Sequence, residues 1–395
     1  LTRENLTGIR VIRALNREDF EEKKFVKANN ELTKTDLSIV KVMQLQTPIM
    51  LLIFNGTSLL AIWVGIARLG MDISYLGKMM AFMQYATQVI MSFLFLTMLF
   101  VMIPRANVSA KRINEVLMTE SEIQFPEEMT EEPTVKASVE FRHVDFRYGK
   151  SEGKVLENIS FKAEAGKTTA FIGSTGSGKS TLINLVPRFF DATAGEILIS
   201  GVDIKKYPEA TLMKRIGYVP QKGYLFAGTV RSNILFGVNE GSIGSMKKAA
   251  KVAQAAEFIN KMPEKYESKI AEGGTNVSGG QRQRLSIARA LAKEPEILIF
   301  DDAFSALDMK TDSKLREALK AVTQNAVTLV VAQRISTIRD AEQIIVLDKG
   351  KIVGKGSHYE LLDKCKVYLE IAKSQLSDDE IARELRISKE KAGRK

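Results

Sequence analysis

The sequence predicts an α-helical membrane segment fused to an α/β domain, and three observations support this prediction. Two long runs in the first third of the chain, 42–67 and 79–104, hold no charged residue. After about residue 139, short apolar segments alternate with helical stretches, which is typical of a mostly parallel sheet. A glycine-rich loop directly follows one of these apolar segments. The 395 residues suffice for two or three such domains.

The two uncharged runs are long enough to cross a bilayer. As helices each would measure roughly 39 Å, against a hydrocarbon core of about 30 Å. Helices in the core of a soluble protein rarely stay uncharged over this length. The connection from Arg68 to Lys78 is short and contains Gly70 and Asp72. The runs therefore predict two membrane spans joined as a hairpin, with both outer ends on one side of the lipid bilayer.

Positive charge is concentrated at those outer ends and predicts the orientation. By the positive-inside rule the outer ends face the cytosol, so the sequence predicts a multi-pass protein of the cytoplasmic membrane with its downstream domain in the cytosol. The basic residues concerned are Arg3, Arg10, Arg13, Arg17, Lys23, Lys24, Lys27, Lys34 and Lys41 before the spans and Arg105, Lys111 and Arg112 after them.

Changes in pattern divide the chain into four parts. Residues 1–118 form a partial transmembrane domain, in which an amphipathic helix over about 1–41 runs into the first span and a helix continues beyond the second. An acidic linker containing prolines follows at 119–138. The nucleotide-binding domain is predicted at 139–373, and a helical tail at 374–395.

Within the α/β domain, alternating apolar residues predict edge strands at 139–146 and 159–163. A helix-rich insert is expected between about 207 and 293. The short apolar strands predicted for the parallel sheet are 169–172, 297–300, 328–331 and 343–347.

The glycine-rich loop fits the pattern G-x-x-x-x-G-K-[ST] and lies between a predicted strand and a predicted helix. Its glycines allow backbone N–H groups to turn toward phosphates, Lys179 neutralises phosphate charge, and Ser180 binds Mg²⁺. A dinucleotide-binding turn is excluded because the third glycine is absent. The predicted phosphate-binding residues are Gly173, Ser174, Thr175, Gly176, Ser177, Gly178, Lys179, Ser180 and Thr181.

A second helix start has features of an anion-binding segment. Ser278 can cap the helix, and Gly279 and Gly280 allow a phosphate to approach the backbone before Gln281. A flexible Ser-Gly loop explains this segment equally well when it is taken alone. Together with the phosphate-binding loop and Asp301, the segment predicts nucleotide contact.

These motifs resemble those of the ATP-binding cassette (ABC) transporters, specifically exporters whose membrane and nucleotide domains are fused. The resemblance implies a P-loop NTPase domain with an antiparallel β subdomain and a helical subdomain, and the cofactors ATP and Mg²⁺. Tyr148 matches the aromatic residue that stacks on adenine, although a tyrosine in the core is the alternative. Gln221 matches the residue that touches Mg²⁺ or water, Asp301 the metal-organising aspartate, and Asp308 the loop that crosses the dimer interface.

Two positions depart from the family pattern. Asp302 stands where active members have a glutamate that polarises the attacking water, and Gln333 stands in place of the switch histidine. Aspartate is one methylene shorter, and glutamine cannot carry a proton or a positive charge. Because base positioning contributes about 10²–10⁴-fold to rates, we expect the chain's own site to bind ATP and to hydrolyse it weakly.

The resemblance implies that two such domains close head to tail over two ATP molecules, each site using the segment Ser278–Gln281 of the opposite chain. Because this segment is intact, we expect a heterodimer in which a non-identical half-transporter supplies the hydrolytic site. A slow homodimeric exporter and a non-transporting regulator of a membrane partner are the alternatives. A soluble cassette ATPase acting on ribosomes or DNA is disfavoured by the two spans.

The remaining composition adds three expectations. The net charge of +10 is explained by positive charge beside the spans and by nucleotide contacts, so no nucleic-acid partner is predicted. The spans are uncharged and rich in methionine, as expected for a small amphipathic or lipid-like substrate, although ordinary packing explains the methionines equally well. Exporters of this kind carry six spans, and the sequence is expected to hold the last two.

Overall fold

The computed structural model describes residues 1–69, 74–129, 131, 133, 136–149, 153–238 and 243–392. Their contacts divide the chain into two compact units, Leu1–Glu120 and Ser121–Lys395. Each unit is described separately below.

The helices in chain order are α1 Thr2–Ala14, α2 Glu18–Leu69, α3 Ser74–Leu117, α4 Lys179–Asn184, α5 Glu209–Arg215, α6 Val230–Ile234, α7 Ile243–Val252, α8 Ala256–Lys261, α9 Gly279–Ala292, α10 Met309–Val322, α11 Ile335–Ile338, α12 His358–Lys364, α13 Lys366–Lys373 and α14 Asp378–Ala392. The strands are β1 Ser138–Phe146, β2 Leu156–Glu164, β3 Thr168–Gly173, β4 Ala194–Ile199, β5 Val202–Asp203, β6 Ile216–Val219, β7 Gly228–Thr229, β8 Lys269–Ile270, β9 Ile297–Asp301, β10 Val327–Val331, β11 Gln343–Asp348 and β12 Lys351–Gly356.

The first unit consists of α1 and the long hairpin of α2 and α3. The side-chain amide of Gln46 donates to Thr97 Oγ1 at 3.0 Å. Gly65, farther along α2, lies against Met79, near the start of α3. From the first contact to the second, the position advances along α2 and moves back along α3. The two helices therefore pack antiparallel. The predicted hairpin is thus present, while Gly70 and Asp72 of its connection lie outside the described residues.

The prediction of one continuous helix over about 1–41 is wrong. Asn16 has a φ of 52°, in the left-handed region, and interrupts the helix between α1 and α2. A short amide side chain tolerates this backbone conformation better than most residues do, so asparagine can end one helix and allow the next to start. By length and composition, Glu18–Ile66 and Leu76–Leu117 can each cross a membrane.

The second unit contains an antiparallel sheet in the order β2–β1–β4–β5. The prediction that β1 is an edge strand is wrong, because β1 pairs with β2 on one side and with β4 on the other. Its alternating pattern arises because one face packs on the core: Val139, Phe141, Val144 and Phe146 are buried. Alternation reports a half-buried face and does not distinguish an edge strand from an inner one.

The main sheet has the order β12–β11–β3–β10–β9–β6, parallel except for β12. All the strands predicted for it are present. The sequence reading missed β6, which lies inside the predicted helix-rich insert and pairs with β9. Because the carboxyl ends of parallel strands meet at one edge, this topology places the ends of β3, β6, β9 and β10 together.

Two hydrophobic cores lie on opposite faces of the main sheet. Ala170 and Ile172 of β3 belong to the core beneath the helical part, while Phe171 between them belongs to the core shared with the antiparallel sheet. Burial on both faces explains why these strands are continuous apolar runs. The edge that carries the loops is therefore held rigidly from both sides.

Candidate functional site

The glycine-rich loop follows β3 and leads into α4, as the motif predicts. Gly173 has a φ of 158°, and a Cβ atom there would collide with the carbonyl oxygen of Leu347. Gly178 has a φ of 96°, and its Cβ would fall 2.7 Å from a methyl group of Leu156. Neither position can accept a side chain without moving the neighbouring strand or loop, so the shape of the loop depends on both glycines.

Lys179, the first residue of α4, places its ammonium group inside the curve of this loop. Nζ donates to the carbonyl oxygens of Gly173 at 2.8 Å and Ser174 at 2.7 Å. Burial lowers the pKa of Lys179, while Asp302 and Asp301 act in the opposite direction. A buried cation among backbone N–H groups is suited to bind the phosphates of a nucleotide.

Asp301 ends β9 and faces the start of α4. Ser180 Oγ donates to Asp301 Oδ1 at 3.0 Å, which brings together two residues that the sequence assigned to a metal. Burial raises the pKa of Asp301, and the hydrogen bond from Ser180 lowers it. A hydroxyl and a carboxylate at this distance form an oxygen-rich pair of the kind that Mg²⁺ prefers.

The next residue, Asp302, accepts hydrogen bonds from Gln333, which stands in place of the switch histidine, and from Gln221, which was predicted to touch Mg²⁺ or water. The Gln333 side-chain amide donates to Asp302 Oδ2 at 2.9 Å, and the Gln221 amide donates to the same oxygen at 3.3 Å. Burial raises the pKa of Asp302. Asp302 also has a φ of 46°, in the left-handed region. The structure thus joins Asp302, Gln333 and Gln221, from the ends of β9, β10 and β6, in one cluster.

The residues present fit a nucleotide-bound Mg²⁺. Within the described residues, no three His, Cys, Asp or Glu side chains form a metal site. Mg²⁺ commonly uses one or two protein ligands, with phosphates and waters completing its octahedron. Ser180 and Asp301, with Gln221 beside them, would hold the ion in that manner. When bound, the ion would neutralise charge on the β- and γ-phosphates.

Tyr148, which follows β1 of the antiparallel sheet, contacts the end of the same loop. Its hydroxyl and Thr181 Oγ1 lie 3.0 Å apart. The ring packs edge-on against Phe146 and Phe190, with centroid distances of 4.8 and 5.2 Å. Tyr148 nevertheless remains 42% exposed. An exposed ring held at the end of the phosphate loop is compatible with stacking on a base.

The second predicted segment caps α9 and lies at the surface. Ser278 Oγ accepts a hydrogen bond from the Gln281 backbone N–H at 3.2 Å, and Gln281 Oε1 accepts from the Ser278 N–H at 3.0 Å. This is a complete capping box. Space around Gly279 is open, since a Cβ there would meet nothing within 4 Å. Among the contacts of the described residues, none joins this segment to the phosphate loop.

Asp308 caps α10 in a similar way. Its Oδ1 accepts from the Thr311 backbone N–H at 2.9 Å. Hydrogen bonding to Thr311 lowers the pKa of Asp308, which is exposed to solvent. The structure therefore separates the predicted residues into a buried cluster around Lys179 and two exposed, self-capped helix starts at Ser278 and Asp308.

The sequence analysis missed the hydrogen bonds of two polar side chains toward the end of the chain. His358 is buried, with Nε2 placed 2.6 Å from Glu384 and Nδ1 placed 2.6 Å from the Tyr368 hydroxyl. Gln375 contacts the backbone on either side of Arg334. Their partners lie up to 42 residues away in the chain, so no local motif could reveal them.

Two family models match the chain. The ABC transporter transmembrane region matches residues 1–93, and the ABC transporter family matches residues 156–305. The second match contains the phosphate loop, the Ser278 segment and both aspartates of the buried cluster.

Curated relatives and a solved structure agree with these matches. An uncharacterised ABC transporter ATP-binding protein of Mycobacterium tuberculosis is 43% identical, over 94% of this chain and 64% of the relative. An ATP-dependent lipid A-core flippase of Syntrophus aciditrophicus is 36% identical, over 98% of this chain and 64% of the relative. The structure of a bacterial Atm1-family ABC exporter with ATP bound superimposes with a TM-score of 0.83 and 30% identity, over 95% of this chain and 66% of that chain.

The chain thus spans about 64% of the length of these curated relatives. Its fold is that of an exporter half-transporter, with helices embedded in the membrane and a cytosolic nucleotide-binding domain. Both the transmembrane region and the ATP-binding domain of this chain belong to the ABC transporter family.

Proposed function

We propose that this chain is a subunit of an ATP-driven exporter whose own site holds ATP with Mg²⁺ and hydrolyses the ATP weakly. The carrying observation is the hydrogen bond of 2.9 Å from the Gln333 amide to Asp302 Oδ2. This bond joins the two residues that depart from the family pattern, next to Asp301 in the chain. Two changes in contact with each other affect the same chemical step.

The chemistry of this pair supports weak hydrolysis. A general base must reach the proton of the attacking water, and Asp302 is one methylene shorter than a glutamate. Its Oδ2 already accepts hydrogen bonds from two amides, Gln221 and Gln333. A neutral amide at position 333 can donate to a phosphate but cannot supply charge as the transition state develops. Binding is thereby retained, and the chemical step is weakened.

The exposed Ser278–Gln281 segment supports a role for this chain in a second site. Its capping box is formed within the segment, and Gly279 faces open space. In the proposed assembly, this surface completes the site of another half-transporter, which is not identical to this chain and supplies its own glutamate and histidine. ATP closes the pair, and hydrolysis at the partner's site reopens it.

The transported substrate is proposed to be small and amphipathic or lipid-like. The two membrane helices carry no charge over their apolar runs, so they offer no ion pair to a charged substrate. One relative with 36% identity is a lipid A-core flippase, which acts on a lipid. A slow homodimeric exporter is the second candidate, because Asp302 keeps a carboxylate at the base position.

The test measures ATP turnover of this chain purified without another half-transporter. We expect the double variant Asp302→Glu/Gln333→His to raise turnover about 10²-fold, because it restores the base and the switch residue. The matched control is Asp363→Glu/Gln324→His, which makes the same changes at exposed positions. It should leave ATP turnover unchanged. Unmodified protein that already turns over within threefold of the double variant would contradict the weak site and favour the homodimer.

A second measurement separates a transporter from a regulator that does not transport. The chain and its co-purifying half-transporter are placed in liposomes, and movement of a fluorescent lipid is followed with and without ATP. ATP-dependent movement is expected. If the pair hydrolyses ATP and moves neither lipid nor an amphipathic dye, the exporter proposal fails.

A further inference from the structure

The loop that carries Gln333 is bonded to a side chain from near the carboxyl terminus. The Gln375 side-chain amide donates to the carbonyl oxygen of Gln333 at 2.8 Å. The oxygen of the same amide accepts the backbone N–H of Ile335 at 2.9 Å. One planar group therefore spans the loop, much as a neighbouring strand would pair with it.

The far end of α11 is bonded to the same part of the chain. Arg339, which follows α11, forms an ion pair of 2.9 Å with Glu384 on α14. Glu384 is 6% exposed, and its other oxygen lies 2.6 Å from His358 Nε2 on α12. The Tyr368 hydroxyl on α13 faces His358 Nδ1. Residues 374–392, here called the C-terminal segment, thus contact α11 at both ends.

α11 needs such external contacts because it is too short to hold its own position. It has four residues, and Arg334 at its start provides no side-chain cap. A single helical turn is unstable without tertiary contacts. Arg316 of α10 contributes one set, through the carbonyl oxygens of Ser336 and Thr337. Gln375 alone among these groups touches the backbone of Gln333 itself, since Arg316 contacts residues farther along.

We propose that Gln375 is a positioning residue for the nucleotide site: it fixes the backbone of residue 333 so that the side chain there reaches Asp302 and the γ-phosphate. The C-terminal segment supports this position by bonding the far end of α11. The proposal rests on the assignment of Gln333 to the nucleotide site. It extends the site to a residue that follows the last strand by 19 positions.

The first experiment compares Gln375→Met with Arg383→Met by hydrogen exchange of the full chain. Methionine keeps the volume of glutamine and removes both hydrogen bonds. Arg383 is exposed on α14 and serves as the control. We expect Gln375→Met to speed exchange of the amides of residues 333–339 roughly five- to tenfold, as the loss of two exposed hydrogen bonds, each at the low end of the usual range, predicts. Unchanged exchange in this region would overturn the proposal, whatever the ATPase results.

The second experiment tests the consequence for chemistry. In the background Asp302→Glu/Gln333→His, Gln375→Met should lower kcat about tenfold or more, because a displaced catalytic group is costly. The KM for ATP should stay within twofold, since the phosphate loop around Lys179 is unchanged. A merely structural role would change kcat and KM together or lower Tm. Equal kcat values with and without Gln375 would overturn the positioning role.

The two proposals can fail separately. If the background double variant gains no turnover, the weak-site proposal fails, and the exchange experiment still decides whether Gln375 holds the loop. Glu384→Gln provides a graded comparison, because it keeps an acceptor for His358 and removes the charge that faces Arg339. We expect its effect on exchange to lie between that of Arg383→Met and that of Gln375→Met. An effect larger than that of Gln375→Met would assign the positioning to α14 and contradict the proposal.

Discussion

The cluster around Lys179 and the segment Ser278–Gln281 both predict contact with phosphate, yet their structures differ. In the cluster, Lys179, Asp301 and Asp302 are buried, and each bonds to a neutral group at the end of a strand or the start of α4. In the segment, the polar groups bond only to their own helix start, and Gly279 faces open space. The cluster has a binding geometry already formed within the chain. The segment has a surface that a second body can cover.

This difference predicts which properties a substitution in each region should change. A change in the cluster alters charge and hydrogen bonding inside a packed domain, so ATP affinity should respond first. A side chain added at Gly279 meets no neighbour within 4 Å, so folding and ATP binding should remain as they are. Its effect should appear only in the assembled protein. The three predictions that follow separate these two behaviours.

The largest effect is expected from Gly279→Leu in the proposed assembly with a second half-transporter. Because a Cβ at Gly279 meets nothing within 4 Å, the chain itself can accept the new side chain. The leucine would keep a phosphate or partner away from the helix start, and loss of such a donor costs about 10²-fold in turnover. ATP hydrolysis by the assembly measures this loss, with ATP binding by the single chain as the unchanged reference.

Gly8→Leu is the matched control, because Gly8 also lies in a helix with open space around it. It should leave hydrolysis unchanged. If Gly279→Leu lowered the Tm of the isolated chain instead, the segment would be packed inside the chain, and the contrast with the Lys179 cluster would be lost.

An effect of similar order is expected from Lys179→Ala, now on ATP affinity of the single chain. The substitution removes a buried ammonium group at the centre of the phosphate loop. A charge-assisted hydrogen bond from this ammonium group to a phosphate contributes about 1.5 kcal/mol. Losing two of them would raise the dissociation constant for ATP roughly 100-fold. Isothermal titration with ATP gives the value. Lys364→Ala, an exposed lysine on α12, should leave affinity intact; equal loss in both variants would indicate a general charge effect.

The smallest effect concerns the pH dependence of Mg²⁺-assisted ATP binding. Burial raises the pKa of Asp301, so this carboxylate takes up a proton at a higher pH than an ordinary aspartate, near 3.9. Above the raised pKa the charge that organises Mg²⁺ is present, and as pH falls through it that charge is lost. As pH falls, the ATP affinity of the unmodified chain should therefore approach that of Asp301→Asn. The ratio of the two affinities should decrease by up to about tenfold per pH unit until it reaches one.

The measurement is ATP affinity with Mg²⁺ from pH 4 to 7 for both proteins. Taking the ratio cancels the titration of ATP itself. Asp363→Asn, at an exposed position, should follow the unmodified chain at every pH. A ratio that stays constant down to pH 4 would show that Asp301 titrates as an ordinary surface carboxylate.

The sequence was sufficient to predict the elements that local patterns encode. The two spans follow from uncharged length, and the phosphate loop follows from a motif whose glycines have no room for side chains, as at Gly173 and Gly178. The capping box at Ser278 is visible as Ser-x-x-Gln. In each case the residues that interact lie within one turn or one strand of each other.

Interactions between distant residues were not predictable in this way. His358 has no motif around it, because its partners Tyr368 and Glu384 follow 10 and 26 residues later. Gln375 pairs with a loop 42 residues earlier. The helix break at Asn16 was missed for a different reason. The helical spacing of apolar residues continues across it, and a single left-handed residue does not change that spacing.

The left-handed backbone of Asp302 has a consequence for how readily this site can change. Aspartate tolerates a positive φ more easily than residues with longer side chains. In the proposed weak site, the aspartate that would slow hydrolysis is thus also a residue that suits the local backbone. Conversion to glutamate would lengthen the base and would introduce a residue that suits a positive φ less well. This variant is expected to be more active and slightly less stable. Under the proposed weak site, activity and stability therefore favour different residues at this one position.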